Sequence, residues 1–425
     1  MNSTRRLPNR TAMLTSSLGM ARKLKGKSMA ELFVRSSQIV SATVERSALS
    51  RAGREPSLAT ACVNVDAGRR GVHMPRLSTA FPGLADLAAS ADAIRQRWPL
   101  SIPELIARAD AVATGHFHLL GHSDLFFGDP IDWHLDPTTG NRAPREHWSR
   151  IRYLDVSVVG DHKVVWELNR HQHFLTLGQA YCLTGNDRYA LAFTRQLISW
   201  MDENPPTRGV NWASSLEVSF RAIAWIWALA LFRNSCHLTD AVRARAVAVL
   251  HAHGLHIERY LSTYFSPNTH LTGEALGLVY LGTFLPQLRR ARRWRRLGWR
   301  ILTEQIKRHV RADGVYFEQA SYYQRYTADF YLQLLRLGVA ADVDTRDIVG
   351  PLEALVEHLM HLQRPDGTTP FIGDDDGGRL LPLDGRAPND FRSTLASAAV
   401  VLDRADFREV AGAATRELVW LLGPA

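Results

Sequence analysis

The sequence predicts an all-α fold assembled from repeated helical hairpins, and three observations predict it. From Val164 onward apolar residues recur at helical spacing, and alternating runs of the strand type are scarce. Segments apolar nearly all round begin near residues 164, 213, 268 and 322, roughly 50 residues apart, with amphipathic segments between them. Stacked hairpins must bury a continuous face, which leaves an open superhelix or a closed ring of inner and outer helices. In either geometry, starts one period apart lie at the same rim.

Composition narrows the class. A chain of 425 residues with 46% hydrophobic and 22% charged residues is that of a globular protein. Its longest strongly apolar run, Ala222 to Phe232, is about half the ~20 residues that span a bilayer, so no transmembrane helix is expected. Cys62, Cys182 and Cys236 lack CxxC-type spacing and are expected to be buried thiols. The net charge of +9 sits almost wholly in residues 1–55, which hold eleven Lys/Arg against three Asp/Glu. Such a basic arm is expected to be solvated, with weak membrane-surface or polyanion contact as its functional version. No aromatic-rich RNA motif or zinc-finger spacing supports nucleic acid. No apolar segment precedes a small-residue cleavage site, and this predicts a cytoplasmic location.

In order, residues 1–28 read as a disordered basic arm, and 29–83 as a short helix (Met29 to Leu49) followed by linker. Residues 84–425 read as one helical domain. Leu84 to Val112 predicts two helices, the second started by Ser101-Ile102-Pro103-Glu104. Gly115 to Gly160 is a long non-helical passage, of the kind usually functional inside a compact domain. Lys163 to Leu183 predicts one helix, with Val164, Leu168, Leu175 and Cys182 on one face and Trp166, Arg170, His173 and Tyr181 on another. Further helices are expected from Asn186-Asp187 to Glu203, Ala213 to Phe232, Thr239-Asp240 to Phe265, Asn268 to Leu285, Arg293 to Arg311, Tyr322 to Leu337, Pro351 to Gln363 and Phe391 to Leu422. Within the second of these, Glu217 and Arg221 at i and i+4 are expected to pair. Arg289, Arg290, Arg292, Arg293, Arg295, Arg296 and Arg300 predict an exposed basic helix end.

Ser266-Pro267-Asn268-Thr269-His270-Leu271-Thr272-Gly273-Glu274 puts polar groups at the start of an apolar helix, and Asp313-Gly314 through Glu318 to Tyr326 repeats the arrangement. The two read as facing walls of one site. Trp166/Arg170, Trp212/Glu217, Asn268/His270 and Tyr322/Tyr323 then cluster at one mouth. Trp133, Trp166 and Trp212 suit the C–H faces of sugar rings, and the His, Asn and Arg groups suit hydroxyls and carboxylates. His171 and His173 point apart on a helix, and His251, His253 and His256 lie on an outer helix, so neither a metal nor a cofactor is expected. No GxSxG elbow, P-loop or dinucleotide fingerprint occurs. Gly373-Asp374-Asp375-Asp376-Gly377-Gly378-Arg379 reads as a capped acidic turn or an acid/base supply.

Ile131-Asp132-Trp133-His134, Glu167-Leu168-Asn169-Arg170-His171, Asn211-Trp212, Asn268-Thr269-His270-Leu271, Glu318 with Tyr322-Tyr323-Gln324-Arg325-Tyr326, and the Gly373–Arg379 run together resemble, over roughly residues 115–390, the helical portion of the heparinase II/III and alginate-lyase family. The resemblance implies an incomplete (α/α) toroid without the family's usual C-terminal β-sandwich, and cleavage of uronic-acid polysaccharides by β-elimination. It would place the protein in the periplasm. Carried over, Asn268 and His270 neutralise the uronate carboxylate and Tyr323 acts on the C5 proton and the leaving oxygen. Tyr323 is preferred to Tyr322 because Tyr326 follows it by three. Trp133, Arg170, His173, Trp212, Glu217, Arg221, Glu274, Glu318, Tyr322, Arg325, Tyr326 and Asp374 form the expected substrate-binding set. Chemistry asks for the same residue types: a proton α to a carboxylate is removable only when that charge is offset. A phenol of pKa ~10 needs nearby cations to act as a base, and Arg170, Arg325 or protonated His270 are the candidates. Two other readings stand beside the lyase acting on an acidic polysaccharide. One is a non-catalytic glycan-binding or exopolysaccharide-assembly protein. The other is an inverting glycoside hydrolase pairing Glu318 with Asp374 or Asp375 at ~6.5–9.5 Å.

Overall fold

The computed structural model of the chain describes residues 26–49, 56–62, 76–375, 377 and 379–424, and it divides into one unit ending at Gly53 and another starting at Arg54. The first unit contributes helix α1, Met29–Leu49, with the limits the periodicity predicts. Glu31 in its first turn suits the positive end of the helix dipole and accepts from Lys27 and Arg35 at 2.7 Å each. The expected basic arm lies outside the described residues as far as residue 25.

Among the described residues of the second unit, the regular structure is helical apart from one hairpin and isolated bridges. Its elements are α2 (Leu58–Ala61), α3 (Leu87–Arg97), α4 (Ile102–Ala113), the antiparallel strands β1 (His116–Leu119) and β2 (His122–Phe126), α5 (Val156–Val159), α6 (His162–Asn169), α7 (His173–Thr184), α8 (Asp187–Glu203), α9 (Ser215–Leu231), α10 (Asp240–Arg259), α11 (Thr269–Phe284), α12 (Ala291–His309), α13 (Ser321–Ala341), α14 (Arg346–His361), α15 (Arg392–Val401), α16 (Ala405–Ala411) and α17 (Arg416–Leu422). An inner row runs α4, α7, α9, α11, α13, α15, each packed on the next. On its outer side α8, α10, α12, α14 and α16 pack against α7, α9, α11, α13 and α15 respectively.

Sequence explains which helix goes where. α9 is apolar nearly all round and is buried from Ser215 to Leu231, its Glu217 and Arg221 included. The arginines at the start of α12 face water: Arg289 and Arg290 just before it and Arg292, Arg293, Arg296 and Arg300 within it are exposed, and Arg295 is half-buried. Arg290 and Arg293 share the Glu258 carboxylate. Caps set the limits of several helices. The Asn186 side chain accepts from Arg188 N to start α8, and Thr239 accepts from Val242 N to start α10.

The row returns on itself. α17 packs against both α15 and α3, and α3 packs on α7. Arg97 donates to the Pro424 carbonyl at 2.7 Å, and a Cβ on Gly83 would stand 1.9 Å from the Val419 oxygen, so only glycine admits this approach. The incomplete toroid expected from the sequence therefore has its first and last hairpins bridged by α17. Residues 77–83, read as the end of a linker, are instead packed in: Leu77, Ala80 and Phe81 are buried, and the Phe81 ring lies 4.8 Å from Trp227 and 6.2 Å from Tyr280. Two single turns with no period left that segment without a sequence signal. Trp227 and Tyr280 lie late in α9 and α11, so this segment covers the end of the ring opposite the inner-helix starts.

Two expected helices are broken. Lys163 to Leu183 divides between α6 and α7, with His171 at φ 59° in the break. Arg221 donates to the Asn169 carbonyl at 3.1 Å, and Trp225 Nε1 donates to His171 Nδ1 at 2.7 Å, so tertiary bonds replace those of a continuous helix. Phe391 to Leu422 divides into α15, α16 and α17, with positive φ at Asp403 and Gly412. α10 ends at Arg259, short of the expected Phe265.

Candidate active site

At the rim formed by the inner-helix starts, Asn268 caps α11: its Oδ1 accepts from His270 N at 3.1 Å. Its Nδ2 donates to Glu318 Oε1 at 2.7 Å, leaving the second of its two amide hydrogens for a ligand. Glu318 Oε2 accepts from Thr269 N at 3.2 Å and from Thr269 Oγ1. The two walls read from the sequence thus meet through one carboxylate, which acts on Asn268 rather than standing as an independent substrate contact. Asn268, His270 and Glu318 are all half-buried. Glu318→Gln presents an NH2 where two oxygens accept, and is expected to cost about 1–2 kcal/mol in urea unfolding, toward the lower figure because water reaches the site.

Tyr323 and Tyr322 part company at the start of α13. Tyr323 is half-buried and its hydroxyl donates to Asp374 Oδ2 at 3.1 Å. Tyr322 is buried against Phe391 and Phe371, and burial pushes its phenol pKa up. The loop bearing Asp374 is tied to the helix start. Ser321 N donates to the Ile372 carbonyl at 2.9 Å, and Ser321 Oγ donates to the Pro370 carbonyl at 2.8 Å and accepts from Ile372 N at 3.0 Å. Gly373, at φ 78°, turns against Ala320, whose Cα would lie 2.9 Å from any Cβ there.

Beneath the lip lies a charged layer. Arg170 donates to Glu217 at 2.6 and 3.0 Å and also to Glu167, with its guanidinium over the Phe220 ring. Burial opposes its charge, but Glu167 and Glu217 outweigh it and hold the pKa above the ordinary value. Tyr326 is buried against Phe330 and Phe220, and burial raises its phenol pKa. Arg221 does not form the expected pair with Glu217. It donates to the carbonyls of Asn169 and Asn211 at 3.1 and 2.9 Å and to His253 Nε2 at 3.3 Å, and burial lowers its pKa to about 9. Arg325 turns inward to Asp329 at 3.0 Å and to Thr394 Oγ1. Arg170 and Arg325 therefore spend their charge on buried carboxylates instead of on Tyr323.

The sugar-stacking role expected of Trp133 and Trp212 does not fit their surroundings, since both are fully buried. Trp133 Nε1 donates to Ser199 Oγ at 3.1 Å, and Trp212 Nε1 to the Asn204 carbonyl at 3.3 Å. His173 lies edge-on to Phe117, and burial lowers its pKa to about 3. Sequence periodicity marks such residues as polar or aromatic at a rim, but not whether a loop covers them.

Glu274 is likewise internal. It accepts from Ser262 N at 2.7 Å and Ser262 Oγ at 2.6 Å, yet burial outweighs these bonds and raises its pKa from 4.5 to about 8. A raised folded-state pKa contributes stability that is full below about 4.5 and lost as pH rises through about 8. Urea midpoints are expected to fall across that window and to fall less in Glu274→Gln. A residual slope remains from Glu417, whose pKa burial also raises to about 8.

Sequence reasoning missed His309, whose Nε2 meets the Pro267 carbonyl at 2.9 Å while its ring stacks on Phe317 at 4.4 Å, supporting the turn into Asn268. It missed Tyr316, whose hydroxyl lies 3.2 Å from Thr269 Oγ1. Neither residue follows a local pattern, since each acts across about 45 residues of sequence.

The family model for the heparinase II/III N-terminus matches residues 100–379. The chain belongs to the heparinase II/III family. Similar proteins include a heparin-sulfate lyase of Bacteroides stercoris, 25% identical over 271 residues, covering 58% of this chain and 37% of the relative. A heparin-sulfate lyase of Bacteroides thetaiotaomicron is 28% identical over 222 residues, covering 49% and 31%. The chain thus spans about a third of the length of these relatives. The crystal structure of heparinase III aligns with a TM-score of 0.54 at 19% identity, over 73% of this chain and 47% of that one. An alginate lyase from Bacteroides ovatus aligns with a TM-score of 0.50 at 13% identity, over 80% and 94%. These heparinase-like and alginate-lyase-like neighbours share the α/α toroid with the chain.

Proposed function

We propose that this heparinase II/III family chain is a polysaccharide lyase that cleaves an acidic, uronic-acid-containing glycan by β-elimination. The observation that carries the reading is the Glu318 clamp. It fixes the amide of Asn268 at the lip of one hairpin and belongs to the segment that runs into Tyr323 on the next. Asn268 and His270 receive the uronate carboxylate, so that charge passing onto it as the C5 proton leaves is stabilised by donors already in position. Tyr323 first gives its hydroxyl proton to Asp374, to which it already donates, and as the phenolate takes the C5 proton. The C5 electron pair forms the C4–C5 double bond, the C4–O bond breaks, and the departing oxygen is protonated by the same phenol. Asp374 holds the Tyr323 hydroxyl before substrate enters.

The hydrolase reading is weaker on geometry. Both oxygens of Glu318 accept from Asn268 or Thr269, and Asp374 accepts from Tyr323, so neither carboxyl is set up as a free acid. The test is incubation with a panel of uronate polymers, heparan sulfate and alginate among them, followed by ultraviolet absorbance of the products. Only elimination leaves a conjugated unsaturated uronate. Reducing ends without that absorbance would move the assignment to hydrolysis, and binding without cleavage would move it to the glycan-binding reading.

A further inference from the structure

The geometry points to a second, separate site: Asp187, Cys236 and His237 form a three-ligand centre for a divalent metal ion of the zinc class. Cys236 was expected to be a buried thiol, but it is exposed. Its sulfur, a His237 ring nitrogen and an Asp187 carboxylate oxygen all lie within 4.8 Å of one another. The sequence gives no hint of this, because the residues come from segments about fifty positions apart and the two adjacent ones do not make a recognised motif.

The Asp187–His237 separation carries the argument furthest. Asp187 Oδ2 and His237 Nε2 face each other at 3.9 Å, too far for a hydrogen bond. Two ligands about 2.0–2.1 Å from one tetrahedral ion stand about 3.3–3.4 Å apart, and a thiolate at about 2.3 Å stands slightly farther from each. Small rotations of exposed side chains close that difference. Asp187 is free for the role because Asn186, and not Asp187, caps α8. The loop bearing the other two ligands is held in place: His237 N donates to Ser235 Oγ at 3.2 Å, and Arg243 donates to the Arg233 carbonyl at 2.9 Å. Thiolate, imidazole and carboxylate together select a borderline-soft ion over calcium or magnesium, which take oxygen ligands. Three protein ligands leave a fourth position for water.

This centre is remote from Asn268 and Tyr323. α9 has Glu217 in its first turn and delivers Cys236 past its far end, and its 17 residues at ~1.5 Å each span ~25 Å. A bound ion there ties the α9–α10 turn to the start of α8 and stabilises the fold by mass action, independently of any glycan chemistry.

The test is a cobalt(II) titration of the full 425-residue chain under reducing conditions. One ion per chain is expected, with a sulfur-to-cobalt charge-transfer band in the near ultraviolet and the strong visible bands of a tetrahedral ion. Cys236→Ser should abolish the charge-transfer band while leaving the helical circular dichroism unchanged. Asp187→Asn and His237→Ala should each weaken binding by more than the ~10–100-fold that loss of a supporting contact around a metal costs. Zinc should raise the melting temperature of the parent but not of Cys236→Ser. A charge-transfer band that never forms, or one that survives Cys236→Ser, overturns the proposal; equal zinc stabilisation of parent and variant does the same.

Discussion

Tyr323→Phe is expected to reduce turnover on a cleavable uronate polymer by about 10²–10⁴-fold, the usual contribution of a general acid–base group, while polymer affinity stays nearly unchanged. The substitution removes one hydroxyl and retains the ring, and the group lost is the half-buried one that reaches Asp374. Initial rates from product absorbance and affinity from a separate binding assay check the two halves of the expectation. A rate within about threefold of the parent removes Tyr323 from the mechanism. Tyr322→Phe serves as the companion. Its phenol is buried between Phe371 and Phe391, so its loss should leave the rate nearly unchanged, and a rate collapse there with Tyr323→Phe silent would exchange the two roles.

The largest stability effect is expected from Arg170→Met. Arg170 is buried between Glu167 and Glu217, and removing the cation takes from the buried Glu217 carboxylate the guanidinium that offsets its charge and leaves a second acid, Glu167, beside it. Breaking a buried pair in this way costs about 3–5 kcal/mol. Replacing both acids by Gln in the Arg170→Met background should recover most of the loss, since the uncompensated charge has gone. Urea unfolding of the parent, the single variant and the triple variant reads both steps. A single variant within about 1 kcal/mol of the parent would mean that water already screens this layer.

Where a helix depends on local chemistry, the sequence was enough to place it. Asn186 caps α8, the prolines at 205 and 206 follow its end, and the expected limits from Asp187 to Glu203 are those found. The all-round apolar run of α9 likewise announced its burial. What escaped was set by distant partners. Nothing near His171 requires positive φ, because Trp225 and Arg221 in another helix make the break favourable. Glu217 and Arg221 have ideal spacing for a pair, but Arg170 reaches Glu217 from α6 and Arg221 finds carbonyls. For the site, polar residues at apolar helix starts located Asn268, Glu318 and Tyr323 at one rim. They could not reveal that Trp133 and Trp212 would be covered, or that Cys236 would face water beside Asp187.

Arg221 has one more consequence, concerning how such a scaffold tolerates change. Its guanidinium holds the end of α6 and the turn before α9 by their main-chain oxygens, and it also reaches the His253 ring. Its grip on these two segments is by carbonyls, which every residue type carries, so this part of the anchor asks nothing of the side chains it holds. The side chains at those two positions are tied down separately, Asn169 Nδ2 and Asn211 Nδ2 both donating to the Trp133 carbonyl. Arg221 itself has no latitude, because a lysine there would lack the planar fork that reaches two carbonyls and His253 at once.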